Sequence, residues 1–249
     1  MQEQIVPDRT DVTISVPGEV VRCVIWGQPI YFTITNRRDV IQKKHLRGEF
    51  YEPQELEIIR RHFKPGGVFC DIGTNIGNHT LFALKFLYAS QAILVEPNPA
   101  AIAILLSNLQ LNGVEDRCDL SHLGFGLSDR VEKGLAMVAH DNNLGGGRMV
   151  AGEGALQTRR GDDLLGSTHV DFIKIDVEGM ELQALRGLSG VIAACRPVMF
   201  VEVDNVNATA FGDWVNENGY AVRTKHKRYR MNENYLIGPR PVRPRAVSE

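Results

Sequence analysis

Several carboxylates lie at the ends of short apolar runs. Their residue type and spacing would suit catalysis or ligand binding. Asp71, Glu96 and Asp176 each end a mainly apolar run that has the length of a strand. Because the carboxyl ends of parallel strands meet at one edge of a sheet, we expect these three side chains to line a common pocket. Carboxylates there can bind a ribose, take up a proton or attract a cationic ligand. The sequence therefore predicts a nucleotide-sized site at this edge.

Two glycines follow the first of these acids in the pattern Asp71-x-Gly73-x-x-x-Gly77. A dinucleotide fingerprint has another glycine between them, which lets the backbone approach a pyrophosphate. An acid ahead of the turn would also repel an anionic pyrophosphate, whereas it would attract a cationic ligand. S-adenosylmethionine has no phosphate and carries an amino group and a sulfonium. It is therefore the predicted cofactor.

The predicted cofactor contacts begin with Asp71, which could accept a hydrogen bond from the amino group directly or through a water molecule. The backbone of 73–78 would approach the methionine part, and Glu96 would accept both ribose hydroxyls. Asp71 could instead satisfy the N–H groups of the turn, and Glu96 could be a solvated strand end. NAD enzymes also place an acid where Glu96 stands, so an NAD-dependent dehydrogenase is the chemical alternative.

Asp176 and Glu178 form the predicted catalytic pair. Methyl transfer from a sulfonium needs the acceptor oxygen, the methyl carbon and the sulfur in line, and a base makes a hydroxyl a better nucleophile. In an extended Asp-x-Glu segment both side chains point to one face, so one acid could hold cofactor or substrate while the other acts as base. Glu178 could instead cap the helix that follows. Glu202, at the end of a later apolar run, is a further pocket candidate.

Other polar residues near these runs have less specific signals. His79 follows the glycine turn and could contact the methionine carboxylate or the substrate, or be an ordinary polar helix residue. Lys174 lies inside a strand, where we expect a structural ion pair. A magnesium site on the paired acids would need a third ligand, which the sequence does not reveal, so no metal is predicted. The basic run 225–230 predicts a solvated hairpin, with recognition of an acidic substrate as the alternative.

The elements that must position these residues alternate between strand and helix patterns. Residues 68–127 predict βαβαβ, with the third strand at 120–127. Strands are predicted again at 170–175 and 197–201, each followed by a helix, and a last pair at 220–223 and 234–237. The predicted fold class is α/β, with a Rossmann-like, doubly wound and mostly parallel sheet.

The segments outside this pattern divide the chain. Apolar and polar residues alternate in short stretches of 5–35, which predicts two or three antiparallel strands. A helix is predicted to begin at Pro53. The glycine-rich segment 130–168 predicts an insertion that is either a lid over the site or a mobile loop. The predicted organisation is a β-rich N-terminal extension, a catalytic domain that contains the insertion, and a flexible tail: 1–50, 51–240 and 241–249.

Composition excludes several classes of protein. The net charge of −2 over 249 residues gives no general attraction for nucleic acid. Four scattered cysteines without a C-x-x-C pair fit neither a zinc site nor a disulfide framework. The polar N-terminus lacks the apolar region of a secretory signal, and no apolar stretch approaches the roughly 20 residues of a membrane span. A cytoplasmic location is the expectation.

Four segments carry a resemblance to a known family. The segments 71–77 and 96–98, and above all Ile-Lys-Ile-Asp-Val-Glu-Gly-Met-Glu at 173–181, resemble FkbM-type S-adenosylmethionine-dependent methyltransferases. The segment 143–146 also resembles that family's Asn-x-Gly-Gly loop. The resemblance spans about 51–238, and its last motif is the most specific. It implies a seven-stranded class I methyltransferase sheet with one antiparallel strand.

The same resemblance implies methyl transfer, generally to oxygen, with sugar or natural-product hydroxyls as acceptors. Glu52 matches a family acid that precedes a capping helix and can reach the cofactor. The predicted partners are a small-molecule acceptor and no nucleic acid, and an exposed edge of the N-terminal strands would allow a homo-oligomer. A degenerate methyltransferase fold that scaffolds a partner is the alternative. The predicted cofactor-binding residues are Glu52, Asp71, Gly73, Thr74, Asn75, Gly77, Asn78, His79, Glu96, Pro97, Asn98 and Asp176.

Overall fold

The N-terminal part is an antiparallel hairpin followed by two helices. The computed structural model describes residues 16–140 and 142–241. The part of the predicted N-terminal strands that precedes residue 16 and the tail from 242 onward lie outside the described residues. The elements of this part are β1 (Glu19–Ile25), β2 (Gln28–Ile34), α1 (Gln42–His45) and α2 (Pro53–His62).

The next segment begins the parallel sheet with two strand–helix units, as the alternating pattern predicts. Short buried strands are each followed by a helix that returns the chain to the start of the next strand. The elements are β3 (Val68–Ile72), α3 (Asn78–Phe86), β4 (Gln91–Val95), α4 (Pro99–Leu111) and the two-residue strand β5 (Cys118–Asp119).

The glycine-rich segment is more ordered than a loop, because it forms most of a separate four-stranded sheet. The strand order is β6-β9-β7-β8, and β7 and β8 form an antiparallel hairpin. The predicted strand at 120–127 was wrong in its extent and partner, since its second half leaves the parallel sheet and pairs with β9. The elements are β6 (Phe125–Ser128), β7 (Lys133–His140), β8 (Asn143–Ala151), β9 (Leu156–Arg160) and α5 (Gly161–Leu165).

The C-terminal third completes the main sheet. Its order is β12-β13-β11-β10-β3-β4-β5, and β13 is antiparallel to both of its neighbours. The expected seven strands with one antiparallel member are therefore confirmed. The elements are β10 (Phe172–Ile175), α6 (Glu181–Gly187), α7 (Ser189–Cys195), β11 (Val198–Asp204), α8 (Ala208–Glu217), β12 (Tyr220–His226) and β13 (Asn232–Pro239).

Both faces of the main sheet are covered, so its central strands are mainly apolar, with the buried Asp71 and Lys174 as charged exceptions. One core joins α3 and α4 with the N-terminal hairpin, and the other lies under α6, α7 and α8. Trp26 of the hairpin turn packs edge to face on Phe82 and Phe86 of α3. The hairpin thus covers a face of α3 that would otherwise contact solvent. Within the described part of the chain, no helix combines the length and apolar character needed to cross a bilayer.

Candidate active site

The glycine turn between β3 and α3 has a conformation that only glycine fits at two points. Gly73 has φ +75°, and a Cβ there would lie 1.8 Å from the carbonyl oxygen of Asp176. Gly77 has φ +86°, and a Cβ would lie 2.7 Å from Cδ1 of Leu105. The first glycine lets β3 and β10 end side by side, and the second lets α3 pack on α4. The turn therefore brings backbone N–H groups to the carboxyl edge of the sheet.

Glu96 at the end of β4 is bound to this turn. Its Oε2 accepts a hydrogen bond from the Asn75 backbone N–H at 2.9 Å, and its Oε1 accepts one from the Asn98 N–H at 2.8 Å. Burial raises the pKa of Glu96 to about 7, although both hydrogen bonds oppose the shift. Asn98 in turn caps α4 by accepting from the Ala100 N–H. Glu96 is not a solvated strand end, since it lines a cavity of about 60 Å³ together with Asn75, Pro97 and Asn98.

The β7–β8 hairpin covers this cavity. Met137, Leu144 and Met149 line it from the hairpin side. The Leu144 N–H donates to Oδ2 of Asp39 at 2.8 Å, and a Cβ on Gly145 would lie 2.7 Å from Nδ2 of Asn75. The Asn-x-Gly-Gly segment thus packs directly on the glycine turn. This position fits the predicted insertion over the site.

Lys174 and Asp71 form a buried ion pair beneath the turn. Lys174 Nζ lies 3.4 Å from Asp71 Oδ1 and 3.5 Å from Asp176 Oδ2, and it donates to the Gly73 carbonyl at 2.8 Å. Burial lowers the pKa of Lys174, but the Asp71 and Asp176 carboxylates outweigh it and hold that pKa above its ordinary value. The expected ion pair of Lys174 inside a strand is therefore confirmed.

The predicted contact between Asp71 and the cofactor needs correction. The Asp71 side chain is 0% exposed, and its Oδ2 accepts a hydrogen bond from Thr80 at 2.7 Å. Since Lys174 neutralises the other oxygen, the carboxylate lies under the turn rather than at the surface of a cavity. Asp71 supports the backbone that faces the ligand. The predicted Thr74 is also held internally, with its hydroxyl 3.0 Å from that of Thr80.

Asp176 and Glu178 converge with Glu202, but not by the route that the sequence suggested. The expected extended Asp-x-Glu conformation was wrong, because β10 ends at Ile175 and Glu178 has φ +49° in a turn. Glu178 is also no cap for α6, which begins after Met180 with no side-chain capping bond. One carboxylate oxygen from each acid lies within 4.8 Å of the others.

Burial and the neighbouring Asp176 carboxylate raise the pKa values of both glutamates. Burial, followed by the charge of Asp176, raises the pKa of Glu178 to about 7. The same two causes, in the same order, raise the pKa of Glu202 to about 10. Glu202 accepts a hydrogen bond from Asn232 Nδ2 at 2.6 Å. A group of acids with raised pKa values at one cavity is typical of a functional site.

Glu52 and His79 face each other across the same region. Glu52 precedes α2 in a left-handed conformation with φ +58°, and its Oε2 lies 3.7 Å from Nε2 of His79. Burial, then the charges of Asp176 and Glu55, raises the pKa of Glu52 to about 8. Burial, then Lys174, lowers the pKa of His79 to about 3. His79 is therefore neutral near pH 7 and is not simply a polar surface residue of the helix.

Asn78 has a positioning role at the start of α3. Its Oδ1 accepts from the Tyr51 N–H at 2.9 Å and lies 3.0 Å from Nε2 of His45, while its Nδ2 donates to the Tyr51 carbonyl at 3.0 Å. Both polar atoms of the side chain are thus used to fix the segment before α2. This arrangement places Tyr51 and Glu52 beside the glycine turn.

A second cavity of about 590 Å³ joins these groups. Glu52, His79, Asp176, Glu178 and Glu202 line it, and so do several residues that sequence patterns did not identify. These come from hairpin ends far along the chain, where no local periodicity indicates a site. They include Arg148, Met231 and Asn232, while Tyr51 before α2, Asn143 of the Asn-x-Gly-Gly segment and Tyr229 of the basic run also line the cavity.

The basic run at 225–230 is not a purely solvated hairpin. The Arg228 guanidinium stacks over the Tyr51 ring at 4.6 Å and lies 3.4 Å from Oε2 of the buried Glu55. The Tyr51 and Tyr229 hydroxyls are hydrogen-bonded to each other. The connection between β12 and β13 is therefore attached to the start of α2 and forms one wall of the larger cavity.

Comparisons with known proteins agree with this geometry. The model of the methyltransferase FkbM domain matches residues 71–231. The chain is 27% identical over 185 residues to the hexuronic acid methyltransferase AglP of Haloferax volcanii, across 72% of this chain and 71% of that protein.

Solved structures of tRNA methyltransferases share the fold. A candidate tRNA (m1A22) methyltransferase of Streptococcus pneumoniae, in complex with S-adenosyl-L-methionine, superposes with a TM-score of 0.52 at 12% identity, over 78% of this chain and 75% of that one. TrmK of M. capricolum, in complex with S-adenosyl-homocysteine, gives 0.51 at 10% identity, over 77% and 70%. With the family match over more than half of its length, the chain belongs to the FkbM methyltransferase family and is an S-adenosylmethionine-dependent enzyme.

Proposed function

We propose that this enzyme moves the methyl group of S-adenosylmethionine to a hydroxyl oxygen of a sugar or a related small molecule. The observation that carries the proposal is the convergence of Asp176, Glu178 and Glu202 on a cavity of about 590 Å³. That cavity meets the Glu96 cavity at Gly73, Asn75 and Asp176. A methyl donor held along the glycine turn would thus have its ribose at Glu96 and its sulfonium near the acids.

The roles of the residues follow from these positions. Glu96 accepts from the ribose hydroxyls, with its carboxylate oriented by Asn75 and Asn98. The turn backbone from Gly73 to Asn78 lies along the methionine part, and Glu52 faces the cationic end of that part. Asp176 or Glu178 takes the proton of the acceptor hydroxyl while its oxygen attacks the methyl carbon. The C–S bond breaks, its electron pair stays on sulfur, and S-adenosylhomocysteine leaves as a neutral thioether.

Two observations favour a small hydroxyl acceptor over RNA. The acids that line the larger cavity would repel the phosphates of a nucleic acid, and the net charge of −2 supplies no compensating attraction. The relative with the stated sugar substrate, AglP, is a hexuronic acid methyltransferase by name. The tRNA methyltransferases share only the fold with this chain, and a shared fold does not imply a shared substrate.

The first test is calorimetric titration with S-adenosylmethionine, S-adenosylhomocysteine and NAD. We expect binding of the first two and not of NAD; NAD binding alone would favour a dehydrogenase. A protein that binds the methyl donor but modifies no acceptor would favour the scaffold alternative.

The second test is transfer from isotopically labelled donor to a panel of neutral glycosides, uronic acids and tRNA. Alkali distinguishes the product bonds, because a methyl ester is hydrolysed whereas a methyl ether survives. We expect alkali-stable label on a carbohydrate. Alkali-labile label on a uronic acid, or label on tRNA, would overturn the proposed hydroxyl acceptor.

A further inference from the structure

The larger cavity has more acidic than basic side chains in its lining. Among the described residues that line it are four carboxylates and two basic side chains, Lys174 and Arg148. Lys174 is already shared between Asp71 and Asp176. Arg148 lies 3.0 Å from Asp204 Oδ2, outside the group, and 3.9 Å from Glu178 Oε2. Glu202 has the neutral amide of Asn232 as its hydrogen-bond donor. A cationic ligand would remove this imbalance.

The spacing of three of the acids fits a metal ion. One oxygen from each of Asp176, Glu178 and Glu202 lies within 4.8 Å of the other two. Three oxygens that bind one Ca²⁺ ion at about 2.4 Å can be at most about 4.2 Å from one another, and three that bind Mg²⁺ at about 2.1 Å at most about 3.6 Å. Three oxygens at this spacing can therefore bind one divalent cation directly or after a small contraction. Glu202, which lies within β11 two residues before its end, would supply the third ligand that the sequence did not reveal.

Two unused polar atoms independently indicate that a polar ligand belongs in this cavity. His79 is 6% exposed, and its Nε2 is buried without a hydrogen bond in the described structure, although the side chain lines the cavity. Asn232 donates to Glu202 through Nδ2, while its Oδ1 is buried without a partner. An amide oxygen is a further ligand type that Mg²⁺ and Ca²⁺ accept. Buried polar atoms without partners are costly, so their presence around one cavity points to something that satisfies them.

We propose that Asp176, Glu178 and Glu202 bind a divalent cation of the Mg²⁺ class, which holds the acceptor hydroxyl beside the methyl donor. The proposal rests on the proposed function and adds a metal to it. The cation keeps open positions for oxygens of the acceptor and polarises the attacking hydroxyl. The hydroxyl proton passes to the free oxygen of a carboxylate that binds the metal through its other oxygen. The O–CH₃ bond then forms as the C–S bond breaks, with its electrons on sulfur.

Two hydroxyls on neighbouring carbons would suit such a centre, because both could occupy open metal positions at once. A metal would also offset the acids when the acceptor is anionic, as a uronic acid is. The inference therefore narrows the acceptor to a vicinal diol of the sugar class.

The test measures metal binding without relying on turnover. Mn²⁺ is titrated into the S-adenosylhomocysteine-loaded full chain, and free Mn²⁺ is followed by electron paramagnetic resonance. We expect one bound Mn²⁺ per chain, displaced by excess Mg²⁺. The Glu202→Gln variant should weaken Mn²⁺ binding by roughly tenfold or more, as loss of groups in a metal site does. Glu217→Gln on the exposed side of α8 removes the same charge outside the cavity and should bind like the unaltered protein.

Thermal melting with and without S-adenosylhomocysteine tests whether the Glu202→Gln variant is folded. A folded variant keeps the increase in melting temperature that this ligand causes. No Mn²⁺ binding up to about 1 mM, the weak end of protein calcium sites, would overturn the metal proposal. Equal Mn²⁺ binding by Glu202→Gln and the unaltered protein would overturn it as well. Calorimetry with S-adenosylhomocysteine in a chelator tests the methyl-donor site separately, so failure of the metal site is distinguishable from failure of the proposed function.

Discussion

Lys174 and Asp71 stand opposite each other on adjacent parallel strands, with Nζ 3.4 Å from Oδ1 and both side chains buried. Lys174 also reaches the Gly73 carbonyl and approaches the Asp176 carboxylate. One ammonium group therefore connects the glycine turn with the acid that follows β10. The ion pair fixes the two strand ends at which cofactor and acceptor would meet.

Removal of this ammonium should destabilise the protein. We expect Lys174→Met to lower the free energy of unfolding by about 3–5 kcal/mol, because Asp71 becomes an uncompensated buried charge. Urea unfolding followed by circular dichroism measures the change. The double variant Lys174→Met/Asp71→Asn should recover part of the loss, since it removes the orphaned charge. A loss below about 1 kcal/mol in the single variant, typical of exposed ion pairs, would contradict the buried pair.

Two glycines of positive φ, Gly73 and Gly66, provide a matched pair of variants. Gly73→Ala places a Cβ 1.8 Å from the Asp176 carbonyl oxygen, whereas Gly66→Ala, at φ +83°, meets no atom within 4 Å. The left-handed conformation alone costs about 1–2 kcal/mol. We expect Gly66→Ala to lose about that much in urea unfolding, and Gly73→Ala to lose more and to weaken S-adenosylhomocysteine binding. Equal effects would contradict the close approach of the two strands.

Glu96 should determine cofactor affinity rather than the methyl-transfer step. Loss of hydrogen bonds to a charged group costs about 1.5–3 kcal/mol, so Glu96→Ala should weaken S-adenosylhomocysteine binding by roughly 10–100-fold. Turnover at saturating methyl donor should change much less. Calorimetry and steady-state kinetics separate the two quantities, with Glu115→Ala on the exposed surface as control. A large fall in kcat with unchanged affinity would assign Glu96 a different role.

The pH dependence of binding should report the same carboxylate. Burial raises the pKa of Glu96 to about 7 in the ligand-free protein, and the ribose hydroxyls need the ionised form as acceptor. Affinity for S-adenosylhomocysteine should therefore rise about tenfold between pH 6 and pH 8, as one proton is released. The contribution of Glu96 to the free energy of unfolding has the opposite pH dependence. Because its pKa is raised in the folded protein, this contribution falls as pH rises from 4.5 toward 7. Calorimetry at several pH values checks the first trend, and Glu96→Gln should remove it.

Asp176 should be needed for turnover. We expect Asp176→Asn to abolish measurable methyl transfer, a loss of roughly 10²–10⁴-fold if it acts as base, with S-adenosylhomocysteine affinity little changed. Single-turnover transfer to the accepted sugar measures the chemical step, and Glu178→Gln and Glu202→Gln form the comparison. Near-normal turnover in Asp176→Asn would move the role of base to Glu178 or Glu202.

The features that the sequence predicts well are those set by neighbours along the chain. The strand-ending positions of Asp71 and Glu96 follow from buried runs of five residues, and the glycine turn follows from two residues that tolerate positive φ. Burial of Lys174 with a partner follows from a lysine inside an apolar strand. These inferences need only the period of a strand and the sterics of a turn.

The features that the sequence did not reveal depend on distant contacts. The contact between Arg228 and Glu55 joins residues 173 positions apart, and the Arg148–Asp204 pair joins residues 56 apart. The direction of Glu178 depends on a single left-handed residue rather than on strand alternation. Asp71 proved to be interior because Thr80 and Lys174 use its oxygens, which neither its spacing nor its residue type indicates.

The two ends of the predicted reaction are built from different kinds of structure. The methyl donor would lie on strand ends and a glycine turn that the whole sheet supports, whereas the acceptor cavity is also closed by the connection between β12 and β13. The β7–β8 hairpin contributes to both cavities. Loops of this kind tolerate substitution better than core strands. Replacements in the connection between β12 and β13 should therefore alter acceptor preference while leaving the donor half of the site intact.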